Sequence, residues 1–133
     1  MSTLPAKTLK TCDRCNRVIK NDSREIPGIG VFGPECYRKV AGLESILELA
    51  GLQDLPQGFT LHNDTPSRDA KKIYATLRFL QRSGLDIRSK RVPGAIHFSI
   101  NGVKNRKHFV RSERYFEKSI ENLEAFALEG ARL

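Results

Sequence analysis

Cys12, Cys15 and Cys36 are the residues of this chain with the clearest chemistry. Cys12-Asp-Arg-Cys15 puts two sulfurs on one tight turn, and Cys36 follows after 20 intervening residues. Thiolate is the preferred structural ligand of Zn2+, which takes four donors in a tetrahedron. A paired turn followed by a distant thiol is ordinary zinc-site spacing. Three cysteines cannot all pair as disulfides within one chain, and a reducing compartment disfavours such bonds. A redox Cys-x-x-Cys wants a buried strand before it, and Lys7-Thr-Leu-Lys-Thr11 makes a poor one. A structural zinc ion is therefore the expectation, with three metal-free buried cysteines as the plainer alternative.

Pro27-Gly-Ile-Gly-Val-Phe-Gly33 is rich in turn residues and predicts a short hairpin. A helix should start near Pro34, which places Cys36 in its first turn, where free N–H groups favour a thiolate. Knuckle, hairpin and helix N-terminus follow one another as in a treble-clef finger. A full treble clef would carry its fourth ligand at position 39, where Lys39 stands. The fourth donor must then come from elsewhere. His62 is preferred, with His97, His108, Asp13, Asp22 or water as the other options.

The residues Cys12-Asp-Arg-Cys15-Asn-Arg-Val-Ile19, Ser23, Gly28-Ile-Gly30 and Gly33-Pro-Glu-Cys36-Tyr-Arg-Lys39 together resemble a small treble-clef zinc-finger family. Its members occur in phage and bacterial proteins of mostly unknown function. They show Cys-x-x-Cys-Gly-Arg, a Ser, and Gly-x-Gly-Pro-x-Cys-x-x-Lys. Here Asn16 replaces the Gly, and Val31-Phe32 separates the glycines from Gly33-Pro34. The resemblance spans about residues 11–40. It implies a metal-stapled module and, on this ground alone, a phage or mobile-element origin; it implies no activity.

A second chemistry lies in the charge. The net charge is +8. Residues 1–64 hold eight Lys/Arg against eight Asp/Glu, whereas residues 65–133 hold 15 against seven. Residues 87–112 carry seven basic side chains and no acidic one. Such asymmetry points to a polyanion, nucleic acid first, with DNA preferred to RNA. The plainer alternative is a solvated basic surface.

The elements that must present these charges follow from turn signals. Pro93-Gly94 and Asn101-Gly102 divide Asp86–Val110 into three β-rich runs, predicting a three-stranded antiparallel meander. Two-residue turns would set Val92 against Ala95, Lys90 against His97, Arg88 against Ser99, Ile100 against Val103, Phe98 against Asn105 and His97 against Arg106. One face then carries Ile87, Ile96, Phe98, Ile100, Val103 and Phe109. The other carries Arg88, Lys90, His97, Ser99, Lys104, Arg106 and His108, six of them proposed to contact phosphates and base edges. A three-stranded sheet followed by a helix is similar in outline to AP2 and integrase arm-type DNA-binding domains. A helix at 66–83 followed by a hairpin also resembles a winged helix, with Arg88–Arg91 in the wing and 34–50 as its first helix.

The expected fold is α+β. Residues 1–51 form a zinc-binding treble-clef-like module with a helix, 52–64 a connector, and 65–133 a basic αβββα domain. Val40, Leu43, Ile46, Leu47 and Ala50 predict the first helix, ended by Gly51. Ile73, Leu77 and Leu80 stripe the second, with Thr65 as cap and Gly84 as terminator. Ser112 should cap the last, with Phe116, Ile120, Leu123 and Ala127 on one face. No apolar run is long enough to span a membrane, and Met1–Lys7 does not resemble a signal peptide, so a cytoplasmic location is expected. His97, Asn101 and His108 are the only candidates for a His-Asn-His nuclease. They lie together in one predicted hairpin without a strand-to-helix site, so no enzyme is expected. The functional expectation is a small zinc-containing nucleic-acid-binding protein. The alternative is an interaction or inhibitor protein that docks on a host enzyme or nucleic-acid machine, a role that exposed Val31, Phe32 and Tyr37 would favour.

Overall fold

A computed structural model describes residues 10–20 and 22–132. Two small antiparallel hairpins open the chain: β1 (Lys10–Thr11) with β2 (Val18–Ile19), and β3 (Arg24–Ile26) with β4 (Gly30–Phe32). Helices α1 (Pro34–Val40) and α2 (Gly42–Leu49) follow, then β5 (Phe59–His62), α3 (Ser67–Arg82), β6 (Leu85–Val92) and β7 (Ala95–Val103). The chain ends in α4 (Arg106–Ser112), a 3-10 turn (Glu113–Tyr115) and α5 (Phe116–Arg132). The fold is thus mixed helix and sheet. Among the described residues no helix is long and apolar enough to cross a membrane.

The expected first helix is interrupted at Ala41. Gly42 begins α2, and a Cβ there would lie 3.3 Å from Phe116 Cβ, so α5 crosses α2 where a side chain is missing. Gly51 ends α2 as predicted, at φ 76°. Leu52 N–H donates to Leu47 O at 2.8 Å and Gly51 N–H to Glu48 O at 3.1 Å, a Schellman cap with buried Leu52 as its apolar contact. Ile73, Leu77 and Leu80 of α3 are buried as expected. The helix starts at Ser67, with Pro66 rather than Thr65 at its cap position.

The sheet departs from the expected meander. Its order is β5-β7-β6, so the outer strand comes from residues 59–62 of the expected connector. The Pro93-Gly94 hairpin is present in the predicted register, with Val92 opposite Ala95, Lys90 opposite His97 and Arg88 opposite Ser99. Asn101-Gly102 makes no turn. Leu85 pairs with Val103 and Ile87 with Ile100, so β7 carries one extra residue there, a β-bulge. Gly102 has φ 79° and its N–H donates to Gly28 O at 2.9 Å. The expected pairs Ile100–Val103, Phe98–Asn105 and His97–Arg106 therefore do not form.

Residues 106–112 are helical instead of extended. Gly84 O accepts from the N–H groups of Lys104 (2.6 Å) and Asn105 (2.9 Å), which turns the chain away from the sheet. The Asn105 side chain then caps α4 by accepting from His108 N–H at 3.0 Å. Ser112 does not cap the last helix: its hydroxyl donates to Phe109 O at 2.6 Å. Phe109 is fully buried and stacks on fully buried Phe32, ring centroids 6.0 Å apart. One apolar cluster runs from Cys12 through Ile26, Phe32, Leu43, Leu80 and Phe109 to Phe116, with Ile120 and Leu123 of α5 packed against it and Ala127 exposed.

Candidate metal centre and basic surface

The knuckle is shaped by its own backbone. Thr11 pairs with Val18, and Cys12 N–H donates to Arg17 O at 2.8 Å. Asn16 N–H donates to Cys12 O at 2.8 Å, and Asn16 takes φ 64°, a left-handed conformation that glycine or asparagine adopts at least cost. Asp13 docks the knuckle on β4. Its N–H donates to Val31 O at 2.9 Å and its carboxylate accepts from Val31 N–H at 2.8 Å. Gly30 makes room, since a Cβ there would lie 2.4 Å from Asp13 Oδ2. Gly33 and Pro34 then start α1 with Cys36 in its first turn.

These elements bring the sulfurs of Cys12, Cys15 and Cys36 within 4.8 Å of one another. Zinc–sulfur bonds of about 2.3 Å imply tetrahedral edges of about 3.8 Å, so the three can hold a metal ion after a small contraction. Cys12 is buried, Cys36 half-buried and Cys15 exposed. Burial pushes the Cys12 thiol up, but backbone N–H groups of Cys15, Gly33 and Arg14 and the Cys15 side chain outweigh it, holding it below the ordinary value. Burial raises the Cys36 thiol; Arg14 opposes this, while the neighbouring Cys15 and Cys12 add to it.

Among the described residues, no histidine or carboxylate joins the three sulfurs. His62 is exposed at the end of β5, paired with Ala95, because the connector returns along the sheet rather than along α1. Asp13 is committed to Val31, and Lys39 is exposed on α1.

Arg14 lies inside the knuckle, between the two paired cysteines. Its guanidinium donates to Cys36 Sγ at 3.5 Å and to Glu113 through both Nε and Nη2, the latter at 2.9 Å. The Glu113 hydrogen bond raises the Arg14 pKa above its already high value. A cation placed between two paired cysteines was the available signal; its partner, 99 residues away, had none.

The six residues expected on one basic sheet face are dispersed. Arg88 and Lys90 share an outer face of β6 with His97 of β7, as their pairing requires. His97 is half-buried and engaged within the sheet, its Nδ1 3.1 Å from Thr60 Oγ1 and its ring against Gly58. Lys104 lies in the loop after β7, while Arg106 and His108 are on α4. His97, Asn101 and His108 consequently occupy β7 and α4 rather than one hairpin. All seven Lys/Arg between positions 87 and 112 are exposed, and among the described residues only Arg88 has a carboxylate partner, Asp86 at 3.0 Å.

The chain is thus a mixed helix-and-sheet protein with a cysteine cluster able to hold a metal ion. Comparisons with protein-family models, with curated proteins and with solved structures return no match.

Proposed function

We propose that this is a small zinc-containing nucleic-acid-binding protein. The zinc is structural, and the exposed cations of the second half contact a phosphate backbone. Three thiolates with no hard oxygen donor suit zinc among the common divalent ions. Two hairpins followed by a helix, with ligands in the knuckle and the first helical turn, support a treble-clef-like module. The fourth position falls to water or an external donor. In this module the metal ties β1–β2 to α1, and Arg14 passes the tie to Glu113.

One observation carries the nucleic-acid reading: seven exposed cations between positions 87 and 112, with no acid among them and, among the described residues, one carboxylate partner. They lie on the β6–β7 hairpin and on α4, so the contact surface is a ridged one rather than a flat sheet. A single helix, α3, stands between β5 and β6, so the hairpin resembles a wing without a helix-turn-helix pair before it. The docking-protein alternative loses its specific support: Phe32 is fully buried, and Val31 and Tyr37 are half-buried.

Fluorescence anisotropy with labelled duplex DNA and RNA tests this. Binding is expected at about 50 mM salt and should weaken steeply by about 200 mM. Replacing Arg88, Lys90, Lys104 and Arg106 together by alanine should flatten the log–log salt slope by about 0.9 for each lost phosphate contact. No binding to either nucleic acid at about 50 mM salt refutes the proposal.

A further inference from the structure

A cavity of about 460 Å3 opens between the C-terminal half of α3, α4 and the start of α5. Its floor is largely apolar, and Phe79 and Tyr115 are the aromatic residues that line the cavity. Phe79 is held edge-on to Phe116, centroids 6.2 Å apart, while Tyr115 is 54% exposed. Arg82, His108, Arg111 and Lys118 also line the cavity, and among the described residues no carboxylate does. Glu113, two residues before Tyr115 in sequence, is drawn away by Arg14. His108 also lines an adjoining recess of about 320 Å3 with Gln81, Asp86, Lys104 and Asn105.

We infer that this cleft seats one unpaired nucleotide of a single-stranded nucleic acid, an inference that rests on the nucleic-acid reading above. The base lies against Phe79 and Tyr115, and its phosphates lie among Arg82, Arg111 and Lys118. A ligand with an aromatic face and an anionic flank matches an apolar floor ringed by cations. Duplex DNA keeps its bases stacked inside and cannot fill such a floor, whereas a single strand presents them. The size falls within the usual range for small-ligand pockets, about 300–1,000 Å3. An acidic peptide with one aromatic anchor shares part of this chemistry. The recess beyond His108 continues the path with Lys104 and Asn105, its one carboxylate, Asp86, being paired to Arg88, and a continued path suits a repeating backbone.

The test is an amide NMR titration of the full-length zinc-loaded protein with a short oligothymidylate, with duplex DNA and with a Glu/Phe peptide. The oligothymidylate should shift the amides of Ser83, Arg111, Tyr115 and Lys118. Tyr115→Ala should weaken it about 5- to 150-fold, the range of one base–aromatic stack. Tyr115→Phe should stay within about twofold of wild type. If single strand and duplex both bind but Tyr115→Ala matches wild type, the cleft is overturned while the general function stands. Absence of binding to both nucleic acids overturns both readings. Cleft shifts caused by the peptide and not by the oligothymidylate overturn the nucleotide as occupant.

Discussion

Replacing Glu113 by alanine should destabilise the metal-loaded fold by about 2 kcal/mol, although Glu113 is neither a metal ligand nor an apolar core residue. An exposed ion pair contributes about 0–1 kcal/mol, whereas a hydrogen bond to a charged group contributes about 1.5–3 kcal/mol. The Arg14 and Glu113 side chains are 14% and 16% exposed and joined by two parallel hydrogen bonds, which places the pair toward the second figure. Without Glu113, Arg14 keeps only the weak bond to Cys36 Sγ at 3.5 Å, so a half-buried charge loses its counter-ion. For a chain of this length 1 kcal/mol corresponds to about 3–6 °C in Tm, giving an expected fall of roughly 6–12 °C. Urea unfolding of wild type, Arg14→Ala, Glu113→Ala and the double variant should give a coupling energy of about 1–2 kcal/mol. Because the pair is shielded, most of that coupling should survive about 0.5 M salt. A coupling below about 0.5 kcal/mol, or a Glu113→Ala protein as stable as wild type, refutes the inference that this bridge joins the two ends of the chain.

Metal analysis should find about one zinc per chain, lost in Cys36→Ser and retained in His62→Ala, since His62 stands outside the sulfur cluster; loss of zinc in His62→Ala would contradict the site as described. In the metal-free protein, Cys12 is depressed, so its thiolate adds stability above the ordinary 9.0, and that gain is lost as pH falls through the lowered value. Cys36 is raised, so its neutral thiol adds stability below 9.0, and that gain is lost as pH rises through the raised value. Thiolate absorbance should accordingly show a step below 9.0 that vanishes in Cys12→Ser and one above 9.0 that vanishes in Cys36→Ser. Gly28→Ala forces φ 79° on alanine and sets a Cβ 2.7 Å from Ile100 Cγ2, whereas Gly94→Ala at φ 71° meets open space. Denaturant unfolding should show losses of about 2–4 and about 1 kcal/mol respectively, and equal losses would mean that Gly28 is not packed against β7.

Local signals were legible because local chemistry decides them. Gly51 and Gly84 end their helices at positive φ, Pro93-Gly94 turns the hairpin in register, and the stripe of α3 is buried. The three cysteines converge as their spacing implied. Asn101-Gly102 misled because positive φ at glycine serves a bulge as readily as a hairpin. What decides between them is Gly28 O, far away in the chain, which takes the Gly102 N–H.

The same long-range control explains the displaced third strand. In residues 103–110 the only large apolar side chain besides the two valines is Phe109, and a strand there would have left one sheet edge nearly polar. As a helix the segment sends Phe109 into full burial against Phe32, while Lys104, Arg106, Lys107 and Arg111 stay in solvent. The vacated place beside β7 goes to Phe59–His62, whose alternation puts Leu61 inward opposite Ile96 and His62 outward. Forming the helix also moves the basic side chains. It takes Arg106 and His108 off the sheet and sets His108 and Arg111 beside Arg82 of α3, creating a cationic cleft that no flat sheet face would have offered. The fate of one segment therefore decides whether the basic half of this chain presents a flat cationic plane or a cationic cleft.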